Sequence, residues 1–167
     1  MNDALISIKP KYVDKILNGQ KAVEIRTRKV NLHKNAKLWI YSTLPKASIQ
    51  TVAYVKRVDI DFPELIWEKH CTSIGVSKDY FDKYVNGSYK ISAIVTDKIC
   101  KLPLEISLEK IRNRFPGFHP PQFIRFMSEN DPLLKAIIDI LTEYLAVRSN
   151  INFGVSLDRF YEFIFPQ

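Results

Sequence analysis

The spacing of apolar residues along the first sixty positions changes period several times, and each change predicts a different element. Ala4–Ile8 is a short apolar run, and Pro10 after it stands where a first helical turn tolerates a missing N–H. Tyr12, Val13, Ile16 and Leu17 then recur at helical spacing, and Gly19 is placed to end that helix. Val23–Thr27 alternates instead, with Val23 and Ile25 on one face and Glu24, Arg26 and Arg28 on the other. Lys37–Ser42 and Ile49–Arg57, rich in β-branched and aromatic residues, read as further strands. Pro63 opens a short helix through Cys71, Ser77 caps another that runs to Asn86 with Gly87 as its stop, and Tyr89–Ile99 is the longest strand expected.

Beyond Pro103 the texture shifts. Leu104–Arg114 reads as helical, whereas Phe115–Gln122 carries too many prolines for a regular element. Asp131 and Pro132 open the clearest helix, whose stripe is Leu133, Leu134, Ile137, Ile138, Leu141, Tyr144 and Leu145. A tail from Ile151 follows with Phe153, Phe160, Tyr161, Phe163 and Phe165. The pattern predicts an α+β fold: a sheet or small β-barrel with flanking short helices over residues 1–127, and a C-terminal helical extension over 128–167. That extension is expected to pack on the first unit or on a second copy of the chain, which makes a homodimer or a docking role for the tail one of the readings.

Composition narrows the function. The chain of 167 residues is 46% hydrophobic and 26% charged, so it can bury a core, and its two cysteines, Cys71 and Cys100, make no disulfide framework. Nothing in the sequence looks like a signal peptide or a membrane span, so a cytoplasmic location without membrane partners is expected. The net charge of +7 is uneven: residues 1–60 hold 12 Lys and Arg against 4 Asp and Glu, and the rest is nearly balanced. A basic segment that also bears Tyr12, Trp39, Tyr41 and Tyr54 suits a polyanionic partner such as RNA; the plainer alternative is a solvated, lysine-rich surface.

The run from Ile8-Lys9-Pro10 through Gly19-Gln20-Lys21-Ala22-Val23-Glu24-Ile25-Arg26 resembles the signature of the ASCH family: an apolar-Lys-Pro start, a short helix ending in Gly, then G-x-K-x-x-E-x-R. Tyr41-Ser42-Thr43-Leu44-Pro45, the helix around Glu64–Trp67 followed by Ser77–Tyr84, and Pro120-Pro121-Gln122 are similar to the longer members, described as predicted transcriptional regulators. The likeness covers about residues 4–127. It implies a PUA-like small barrel with a cleft for nucleic acid or a modified base, and roles in RNA binding, RNA processing or regulation.

Residue chemistry fits such a cleft. Arg26 and Arg28 offer planar forks for phosphate or base, Glu24 accepts hydrogen bonds from a base or positions an arginine, and Lys21 is a compact cation. Lys9 and Lys46 add charge, and Tyr41, Ser42 and Thr43 are expected to line the cleft at a strand end. Trp39 and Tyr89 read as core aromatics first and stacking residues second. The Pro120–Gln122 loop is expected to brace the barrel and bring Gln122 and Arg125 near the cleft.

Enzymatic readings are weaker. Some very small ASCH proteins hydrolyse the amide of 4-acetylcytidine with a Lys, a Thr and a Glu. The resemblance retains the lysine as Lys21, puts Glu24 where the threonine stands, and puts Ile74 where the glutamate follows a stretch like Glu68-Lys69-His70. A ribonuclease is also proposed for the family, and Lys21, Glu24, Arg26 and His70 could supply its cations and proton carriers. His70, Cys71, Cys100 and His119 lack metal-ligand spacing, and no glycine-rich phosphate loop occurs, so neither metal nor cofactor is expected. The leading expectation is an RNA-binding module.

Overall fold

The structure, a computed structural model, describes residues 3–149; the aromatic tail from Ile151, and any part it plays in dimerisation or docking, lies outside the described residues. An unbroken apolar run suits a strand covered on both faces, and β1 (Asp3–Ile8) is buried along nearly all its length. It pairs in parallel with β3 (Lys37–Ser42), Ala4 opposite Leu38 and Ile8 opposite Ser42. On its other side it pairs with β6 (Ile124–Met127) only as far as Ile6, so Ser7 and Ile8 extend beyond that partner. β2 (Val23–Arg26), β4 (Ser48–Asp61) and β5 (Ile91–Ser107) complete a mixed sheet of order β2-β5-β4-β3-β1-β6.

This is the α+β architecture the pattern predicts, with the barrel realised as a curled half-barrel. Register shifts between Ile49 and Thr51, Ala53 and Val55, and Val55 and Arg57 put extra residues into the long β4–β5 ladder, and such bulges bend a sheet. One expectation fails here. Residues 104–107 belong to β5 and not to a helix, because Ile106 and Ser107 pair with Ile49 and Ser48. Pro103 is accommodated between Lys101 and Ile106, where the register shift interrupts the ladder. Helix α4 (Leu108–Arg114) starts only after Ser107, whose hydroxyl accepts from the Lys110 N–H.

Three apolar clusters fix the layers. α5 (Pro132–Ser149), capped by Asp131 at the Leu133 N–H (2.8 Å), buries Leu133, Leu134, Ile137, Leu141 and Leu145. All but the last of these join Leu5, Trp39, Ile49 and Ile111 in one cluster. α1 (Pro10–Leu17) covers Ile6, Leu38, Ile40 and Val55 through Val13 and Ile16. α2 (Pro63–Ile74) and α3 (Lys78–Val85) bury Ile66, Ile74, Phe81 and Val85 against Val23, Ile25 and Ile91. No helix among the described residues is long and apolar enough to cross a membrane.

Candidate functional site

The site grows from the junction between α1, β2 and the end of α2. Gly19 has φ +74°, a conformation glycine adopts without a Cβ penalty, and turns the chain from α1 towards β2. α2 ends at Gly75, also left-handed at φ +76°, where an added Cβ would come within 3.0 Å of Lys21 Cβ. The last carbonyls of a helix have no partner inside it. Here the 15–22 segment supplies partners to three of them: Ala22 N–H to Ser73 (2.9 Å), Lys21 Nζ to Ile74 (2.8 Å) and Lys15 Nζ to Gly75 (2.6 Å). Two ammonium groups at the negative end of a helix dipole also suit its field.

Lys21 is therefore a strut. It is 4% exposed, and Nζ donates to the Val23 and Ile74 carbonyls and pairs with Glu24 Oε2 at 3.1 Å, which uses all three N–H groups. Glu24 Oε1 takes Arg26 Nη1 at 2.6 Å, so one carboxylate is spanned by two cations. Arg26 Nη2 reaches across to the Ser7 carbonyl (3.0 Å), the part of β1 that β6 leaves uncovered. The guanidinium thus bridges the seam between β2, an edge of the sheet, and β1. Arg26 Nε and Ser7 Oγ are buried there with no hydrogen-bond partner in the protein, a local cost on the order of 1–3 kcal/mol per group.

Above this floor lies a cavity of about 260 Å³, open to solvent, between the end of β1, β2, α1 and α3. Lys9 and Gln122 stand with Tyr12, Tyr80, Phe81 and Tyr84 in its walls. The Tyr12 and Tyr80 rings lie 6.0 Å apart at 59°, with Lys11 Nζ 4.9 Å from the centre of the first and 5.7 Å from the second. The Tyr84 hydroxyl donates to the Ile25 carbonyl at 3.3 Å. Burial, the hydrogen bond with Tyr80 and the charge of Glu24 push the Tyr12 hydroxyl well above the usual tyrosine range. Cations, a carboxylate and aromatic rings therefore share one concave surface with room for a small planar group.

The family described as "Domain of unknown function (DUF365)" matches residues 5–126. The chain belongs to that family. The DUF365 chain is also 26% identical over 130 residues to an "ASCH domain-containing ribonuclease" from Zymomonas mobilis, across 77% of this chain and 86% of that protein. The crystal structure of ASCH from Zymomonas mobilis superposes with a TM-score of 0.75 at 23% identity, covering 82% of this chain and 94% of that one. A hypothetical protein from Leishmania major gives 0.52 at 13% identity, over 87% and 97%. The ASCH resemblance read from the Gly19–Arg26 signature thus holds for the fold of this DUF365 protein.

Of the residues singled out in the sequence, this DUF365 fold brings Lys9, Lys21, Glu24, Arg26 and Gln122 to the cavity, and leaves others away from it. Tyr41 is 3% exposed and packs edge-on against Phe118 at 6.3 Å, and Ser42 is buried, because β3 is covered on both faces. Thr43 contributes its backbone, donating to the Ile8 carbonyl at 3.0 Å, and Lys46 is exposed on the following turn. Neither lines the cavity. Arg28 lies past the end of β2, exposed, 5.9 Å from the Phe123 ring. Arg125 is tied to Asp131 (3.2 Å) and stacks on Phe115.

Trp39 is buried and donates to Asp3 at 3.0 Å, whereas Tyr89, expected in the core, is exposed against Phe62. His70 sits on α2, 2.8 Å from Asp59 and away from the cavity lining. Burial acts to raise the Asp59 carboxyl, but hydrogen bonds from Lys69 and His70 and the charge of Arg57 outweigh it and hold it below the usual range. The sequence reading missed Tyr12, Tyr80 and Tyr84 as site residues. Tyr12 figures there as one aromatic of the basic segment, and Tyr80 and Tyr84, four apart on α3, lie within the Ser77–Tyr84 segment without being singled out.

Proposed function

We propose that the chain binds single-stranded RNA and draws one base into the cavity beside Glu24. The observation that carries this reading is the pairing of a tyrosine wall with a charged hydrogen-bonding floor in a space of about 260 Å³. Drug-sized ligand pockets begin at about 300 Å³, so this one suits a single base and excludes a duplex. Bases stack on aromatic faces, while Lys9 and Lys11, both exposed at the rim, are placed for flanking phosphates. A relative named a ribonuclease supports RNA as the polymer. Fluorescence anisotropy with a labelled single-stranded RNA tests the reading. With two phosphate contacts, at Lys9 and Lys11, affinity is expected to fall roughly sevenfold between 50 and 200 mM salt. An affinity indifferent to salt contradicts it.

The relative's name also favours a second reading, RNA cleavage at the same cavity. A metal-free cut needs a free general base near the phosphate. His70 is engaged with Asp59 away from the cavity, and Glu24 is spanned by Lys21 and Arg26 as part of the braced floor, which supports binding over cleavage. The anisotropy samples, run on a denaturing gel, separate the two. Intact RNA favours binding, and RNA cut by the wild type but spared by Glu24→Gln favours cleavage.

A further inference from the structure

The hydrogen-bonding capacity left on the floor has a definite pattern, and a base must match it. Resting on the RNA-binding reading above, we propose that the cavity selects guanine. Lys21 has no N–H left to offer, since all three are committed to Val23, Ile74 and Glu24. Each Glu24 oxygen takes one cation, and a carboxylate oxygen has about two acceptor directions, so one remains on each. Arg26 Nη2 has given one of its two N–H groups to the Ser7 carbonyl, and the other remains; Arg26 Nε and Ser7 Oγ are also unpartnered but are fully shielded from solvent and so out of a ligand's reach. Beginning at Arg26, beside Oε1, the floor therefore presents a donor, then an acceptor, then a second acceptor.

Only one common base edge is complementary to that order. Guanine presents the O6 acceptor, then the N1–H and N2–H donors side by side. Uracil sets its second carbonyl oxygen against a carboxylate oxygen, and cytosine has a single donor followed by two acceptors. Adenine, with one amino group beside a bare ring nitrogen, engages at most two of the three floor groups. A lone pair facing a carboxylate oxygen is repelled and leaves the base group desolvated without a donor, a larger loss than an absent contact. The tilted Tyr12 and Tyr80 rings add to the preference, since a purine covers more of an aromatic face than a pyrimidine.

The test uses short oligouridylates carrying one central guanosine, inosine, adenosine or cytidine, together with plain oligouridylate and guanosine monophosphate. Guanosine is expected to bind roughly tenfold tighter than the all-uridine strand, the size of one good bidentate base contact. Inosine, which lacks only the N2 amino group, loses most of that gain. Glu24→Gln is expected to abolish the preference for guanosine over uridine; the inosine comparison stands even if that variant does not fold. Equal affinity for every strand, or preference for another base, overturns the guanine inference and leaves RNA binding intact. Guanosine monophosphate bound selectively with no strand bound keeps the base assignment and removes the RNA reading. Silence from every ligand overturns both.

Discussion

Replacing Lys21 with methionine lowers stability by about 3 kcal/mol, more than any loss expected from an exposed lysine. The substitution keeps the stem's bulk and removes the ammonium. The Val23 and Ile74 carbonyls lose their Nζ donor, and Glu24, itself largely buried, loses one of its two cations. Removing one partner of a buried pair costs about 3–5 kcal/mol when the other charge is left alone. Glu24 keeps Arg26, which places the value at the low end of that range. For a chain of this size the melting temperature is expected to drop by roughly 10 °C. Differential scanning calorimetry checks it. An unchanged melting temperature combined with weaker RNA binding would show that Lys21 contacts the ligand and does not brace the site.

Tyr80→Ala has the opposite signature. Tyr80 is 38% exposed and contributes no buried apolar packing to the three core clusters, so stability changes little. It forms one side of the aromatic wall, facing Tyr12 and accompanied by Lys11. Alanine substitution at a base-stacking ring costs about 1–3 kcal/mol of binding, which is on the order of tenfold to a hundredfold in affinity. Anisotropy titration of the variant beside the wild type measures it, with circular dichroism to confirm the fold. Wild-type affinity in a folded Tyr80→Ala protein would mean that the wall does not hold a base.

The contrast between these two residues also marks what was legible in the sequence. Features set by rules acting within a few residues were visible. Pro10 opens α1, Gly19 accepts positive φ, and the period of two puts Glu24 and Arg26 on one face of β2. Features that need distant segments to meet were not. Lys21 became a strut because the end of α2, more than fifty residues later, docks on it, and Gly75 makes that approach possible.

The Tyr41–Lys46 segment misled for a related reason. A polar end on a strand suggests a cleft, but Lys37–Ser42 is apolar enough to be covered on both sides, and α5 buries the Trp39–Tyr41 face. Likewise, Leu104–Ser107 has helix-friendly side chains, and only its pairing with β4 makes it strand. β6 is four residues long and half-exposed, with no alternation strong enough to announce it. Nothing local marks the tyrosines of α3; it is α1, placed opposite them by the fold, that makes Tyr80 and Tyr12 one wall.

RNA binding in the cavity above the seam between β1 and β2 is the proposal from which the binding predictions follow. Titrating isotopically labelled protein with a short single-stranded RNA and following backbone amide shifts by nuclear magnetic resonance tests it most directly. The predicted result is a set of shifts confined to Ser7–Tyr12, Lys21–Arg26, Ile74–Val76, Tyr80–Tyr84 and Gln122, which border the cavity. Shifts gathered instead on α4 and α5, or around Phe62 and Tyr89, with the seam unmoved, would contradict it.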